Sequence, residues 1–167
     1  MPERSPKFSA IVSFFEMLAT QHVSLRHSAT QKHFFRLELD EVLTALPEQM
    51  CYPALVLESY NYSLQDMKGD SPAKNRGGGF MLVEQVPDPG DYDLIHQKWD
   101  ALEEIADDII ARIKAEKKTA LSPVRDFDLN SVSMTLYSSG TTIAMRIEYA
   151  VISRFIADVD PDKWIIP

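Results

Sequence analysis

The clearest regularity in the chain lies between Asp91 and Lys118. Ile95, Trp99, Leu102, Ile105, Ile109 and Ile113 recur at spacings of three and four, which places all of them on one side of a helix. Asp91 and Asp93 fall at the positive end of that helix's dipole, and Lys114, Lys117 and Lys118 at its negative end. Period, cap and charge together predict a long amphipathic helix resting on something flat. Nearer the start, Phe8, Ile11, Val12, Phe15 and Leu18 share one face of a shorter helix, with Ser5 as its cap and Pro6 in its first turn. Residues 22–31 are polar and show no period. His33 to Leu39 alternates as a short strand, with a helical reading close behind. Residues 40–46 read as a turn or two of helix, capped by Asp40 and ended by Pro47.

From Pro53 the period changes to two. Ala54 to Tyr60 is predicted as a strand, and Asn61-Tyr62-Ser63-Leu64 continues its alternation. Residues 65–79, built of Gly, Asp, Ser, Pro, Asn and Lys and ending in three glycines, read as a flexible loop. Phe80 to Val86 is the returning strand, closed by Pro87-Asp88-Pro89-Gly90. Val132–Tyr137 and Ile143–Val151 form a second strand pair around a hairpin turn at Ser138-Ser139-Gly140-Thr141. Residues 156–167, broken by Pro161, read as a tail. Two strand pairs separated by a helix predict an α+β fold. Its sheet, antiparallel or mixed, has about four strands, with the long helix and the N-terminal helix packed on it. At 167 residues, the chain is expected to be one domain over 1–167.

Charge narrows the partners. Seventeen basic residues against twenty-five acidic ones leave a formal net charge of -8. The resulting field repels polyanions, so sequence-specific nucleic acid binding is not expected. Cys51 is the only cysteine, which excludes an intrachain disulfide and fits a reducing compartment. The first residues lack the basic-then-apolar run of a signal peptide, and no apolar stretch approaches the ~20 residues of a membrane span. Synthesis and folding in the cytoplasm, or exit by a route without a signal peptide, are expected, with no membrane partner.

No grouping of side chains announces catalysis. His22, His27, His33 and His96 contain no i, i+4 pair of the kind that holds zinc, and no second cysteine exists to build a structural zinc site. Glu103, Glu104, Asp107 and Asp108 bring carboxylates together, but the apolar stripe turns most of them to water, with Arg112 and Lys114 as partners. The glycines at 77–79 run into a strand and not a helix, so they do not form a phosphate-cradling loop. Cys51 reads as a small core residue. No enzyme activity, cofactor or metal is expected. Trp164, stranded with Ile165 and Ile166, must either fold back on the domain or anchor in a neighbour.

The order of elements resembles a known family. A leading helix, a strand entered as Tyr52-Pro53-Ala54-Leu55-Val56-Leu57-Glu58, a polar loop, a second strand and a long acidic helix come first. A closing pair ends in Arg146-Ile147-Glu148-Tyr149-Ala150-Val151. This pattern, over most of residues 8–155, is similar to the tail-terminator or tail-completion proteins of tailed phages and related contractile injection particles. The resemblance implies a structural protein forming a homo-oligomeric ring, often a hexamer, at the tail tube end or neck. Other tail and neck proteins would be its partners, and its place would be a virion or phage-tail-like particle. It also implies that the segment 66–79 reaches towards neighbours or the lumen, where an acidic wall suits DNA that must slide without sticking. Tyr60, Tyr62 and Phe80 beside the loop, Lys74 and Arg76 within it, and Trp164 and Ile165 on the tail are the expected contact residues. The alternative reading is a small acidic partner-binding module of immunity or adaptor type.

Overall fold

A computed structural model describes residues 6–65 and 72–155. Its elements in chain order are α1 (Phe8–Gln21), β1 (Lys32–Arg36), α2 (Leu39–Thr44), β2 (Met50–Leu57), β3 (Asn61–Gln65), β4 (Ala73–Gln85), α3 (Tyr92–Glu116), β5 (Phe127–Ser139) and β6 (Thr142–Arg154). The fold is α+β, and its mixed sheet has six strands where about four are predicted. The sheet runs β1-β2-β4-β6-β5, with β3 also paired to β4. Among the described strands β1 and β2 are parallel and the other pairs antiparallel.

Two long hairpins make the frame. In the first, β2 and β3 lie one after the other along the same edge of β4. Leu57 faces Phe80 and Asn61 faces Gly77, so the β2–β3 side takes four steps against three on β4. That extra residue is a bulge, and it divides the predicted continuous strand into two. In the second hairpin, β5 and β6 turn at Gly140, whose φ of 57° suits a residue without a Cβ. β4 and β6 pair along their whole lengths, from Ala73↔Arg154 to Gln85↔Thr142.

The glycine-rich segment is therefore mostly strand, contrary to the predicted loop over 65–79. Residues 73–79 belong to β4, and 66–71 lie outside the described residues. The glycines serve close packing. A Cβ on Gly79 would stand 2.1 Å from the Glu58 carboxylate, and one on Gly78 would meet the Tyr149 ring at 3.2 Å. Pairing on both sides supplies the backbone hydrogen bonds that local propensity does not favour.

Period two sorts the sheet into two faces. One carries Leu55, Leu57, Phe80, Leu82, Ile143, Met145, Ile147 and Tyr149 beneath α1 and α3. The buried stripe of α3 is Ile95, Leu102, Ile105, Ala106, Ile109 and Ile113, with Trp99 partly buried beside it. The opposite face packs Ala54, Val56, Met81, Val83 and Ala144 against Val42 of α2 and the flanking Leu37, Leu39 and Leu46. Two helix starts differ from prediction. Ser5 lies outside the described residues, and α1 begins after Lys7, which makes no side-chain cap. In α2 the N-cap is Glu38, not Asp40: the Glu41 carboxylate reaches back to accept the Glu38 N–H at 2.7 Å.

Candidate functional site

β3, the first half of β4 and the last residues of β6 make up one end of the sheet. Tyr62 pairs with Arg76 and Leu64 with Lys74. On the other side Arg76 pairs with Val151 and Lys74 with Ser153. All of these project from the face that carries Phe80 and Tyr149, since β4 places every second residue there. Four of the predicted contact residues thus come together. The Lys74 Nζ stands 4.1 Å over the Tyr62 ring, and the Arg76 Cζ stands 5.8 Å over Tyr60. Tyr60 meets Phe8 at 4.7 Å between ring centres, and Arg36 lies over the other ring of that pair at 5.5 Å.

Exposure divides the set. Tyr62 is 59% exposed and Leu64 is 52% exposed, whereas Arg76 is only 4% exposed. The Arg76 Nη1 donates to Ser153 Oγ at 3.4 Å, and its buried Nε has no hydrogen-bond partner among the described residues. Burial, then the neighbouring Arg76 charge, lowers the Lys74 pKa from its ordinary value. Phe80 departs from the expectation of a contact surface: it is fully buried against Phe15 and Tyr149. Trp164 and Ile165 lie outside the described residues.

On the opposite face, beneath Gly77–Gly79, lies a polar cleft of about 360 Å³ lined by Glu38, Glu58, Ser59, Asn61, Arg146 and Glu148, among others. Here Arg146 Nε donates to Glu58 Oε2 at 2.8 Å and Nη1 donates to Glu148 Oε1 at 2.6 Å. The hydrogen bond to Glu58 is the main cause that raises the Arg146 pKa further. Glu38 accepts the Ser59 N–H at 2.9 Å. Arg146 is satisfied by two carboxylates, so this cleft braces β2, β4 and β6. Strand alternation alone places Arg146 and Glu148 on one face. Their meeting with Glu58 was not readable, because it depends on the register of β2 against β4.

The histidines do not converge on one site, although the His33 backbone N–H donates to His27 Nδ1 at 3.1 Å. His22 Nδ1 accepts the Ser24 N–H at 3.2 Å, which leaves the proton on Nε2, 3.3 Å from Asp108. His33 Nδ1 bonds the Pro53 carbonyl at 2.7 Å, and His96 stacks on Trp99. Among the described residues no group of three or more His, Cys, Asp or Glu could hold a metal ion. Glu103, Glu104, Asp107 and Asp108 are exposed on α3, and Arg112 pairs with Glu116 at 2.8 Å. Among the same residues no helix is long and apolar enough to cross a membrane.

The outer edge of the sheet is the other open feature. β5 is thirteen residues long, and among the described residues β6 is the one strand that pairs with it. From Leu129 to Ser139 it carries no charged residue. Met134 and Leu136 are exposed along it, at 39% and 47%. No family model matches this chain, and no curated protein matches it in sequence.

Proposed function

We propose that this protein is a structural assembly subunit of a phage-like particle, a tail terminator or completion protein that closes into a ring at the tail tube end or neck. The observation that carries the reading is the β5 edge. A long strand edge exposes a row of backbone donors and acceptors, and natural proteins usually guard such edges with charge, proline or a covering element. Among the described residues β5 has only the irregularity between Asp128 and Ser133. Among the described residues no strand pairs with the outer side of the seven regular residues beyond it, which suits a neighbour's strand. The element order that resembles the terminator family supports the same reading, and the acidic composition suits a wall past which DNA slides.

Light scattering coupled to size-exclusion chromatography tests it. A closed oligomer is expected at high concentration, alone or on addition of tail-tube protein. A strict monomer under both conditions would overturn the proposal.

A second reading, an acidic module that binds one partner, draws on the exposed carboxylates of α3 at Asp100, Glu103, Glu104 and Asp107. A one-to-one complex that weakens steeply with salt would favour it over a ring.

A further inference from the structure

The cationic cluster at the far end of the first hairpin has a chemistry that ring formation does not explain. An arginine side chain offers five N–H donors in a planar fork, and when buried it is normally met by a carboxylate. Arg76 is almost completely buried, yet no carboxylate pairs with it among the described residues. Its interactions are a long bond to Ser153 Oγ, the ring of Tyr60 and the positive charge of Lys74. Its Nε–H has no acceptor among the described residues. Leaving such a donor unpaired is costly, and two cations on one face of a strand repel each other. Nothing in the net charge demands this, because the chain as a whole is acidic.

We propose that Lys74 and Arg76 form a binding site for an oxyanion, a carboxylate or a phosphate. The ligand accepts from the fork of Arg76 at Nε, with the Lys74 ammonium completing the charge balance. The rings of Tyr60 and Tyr62 lie against the two cations and limit their movement, which favours an oxyanion with two acceptor oxygens over a spherical ion such as chloride. The geometry belongs to one chain, so the inference is independent of the ring and can fail without it.

The direct measurement is the nitrogen-15 and proton resonance of the Arg76 Nε–H in the full-length protein. It is titrated with acetate, with phosphate and with chloride at matched ionic strength. A saturable shift with acetate or phosphate, absent with chloride, is expected, and the stronger of the two names the ligand. The thermal midpoint is expected to rise with the logarithm of that anion's concentration, as for any ligand that binds only the folded state. Lys74→Gln is expected to weaken the anion about tenfold, and Arg76→Gln to abolish the rise. No shift with either oxyanion up to about 50 mM, a range that covers weak binding, would overturn the site. So would an equal response to chloride. Should Arg76→Gln not fold, the resonance titration of the wild-type protein still decides.

Discussion

At the scale of single residues, two positions show how the sheet is locked. Gly79 has no room for a methyl group because the Glu58 carboxylate occupies that space, held there by Arg146. Glu58 is 5% exposed, so displacing it strands a buried charge. Gly79→Ala is expected to destabilise the protein by about 2 kcal/mol, the scale of a lost charged hydrogen bond. Urea unfolding would check this, and a change under about 0.5 kcal/mol would mean that Glu58 moves freely. Tyr149 is buried among Phe15, Phe80 and Phe127. Burial first, and then the Glu58 charge, pushes its phenol well above the ordinary value. The folded state therefore keeps its proton where the unfolded chain loses it. The contribution is fully present below about pH 10, the unfolded value, and is lost as pH rises beyond it. Tyr149→Phe should move the alkaline unfolding midpoint, followed by circular dichroism, to higher pH. An unchanged midpoint would show that another group controls alkaline unfolding.

At the scale of elements, the amphipathic helices were the easiest to read, and α3 was the clearest. Its stripe, its Asp91 cap on the Leu94 N–H and its terminal charges all act within a few residues of each other, so sequence spacing is sufficient. The segment 73–79 was the hardest. Composition alone favours a loop, and only the flanking β3 and β6 make it a strand. The edge strand β5 was recognised by its alternation, but its place at the end of the strand order was not readable, since sequence order does not give strand order. If that edge joins subunits, Met134→Lys with Leu136→Lys should shift light scattering towards smaller species. Both side chains are exposed, so stability should change by no more than about 0.5 kcal/mol. An oligomer of unchanged size would exclude β5 from the contact.

At the scale of the whole molecule, one six-stranded sheet has a large core on the α1–α3 face and a smaller one under α2. Two of its features bear on function, the β5 edge and the hairpin end carrying Tyr62, Lys74 and Arg76. Prediction from composition placed Tyr60, Tyr62, Lys74 and Arg76 in or beside a loop. The structure brings them together by a different route, through register on a paired strand. Phe80, expected at the same surface, is instead core, because it stands where β4 passes beneath α1.

By itself the sequence determined the α+β class, the two helices with apolar faces, the two strand pairs and the acidic character, since each depends on periodicity or on a sum over residues. Tertiary structure alone decided the six-strand order, the brace between Glu58, Arg146 and Glu148, and the meeting of Lys74 and Arg76 with the rings of Tyr62 and Tyr60. These depend on which strand lies beside which and in what register, and hydrogen bonds between distant residues set that, not any local pattern.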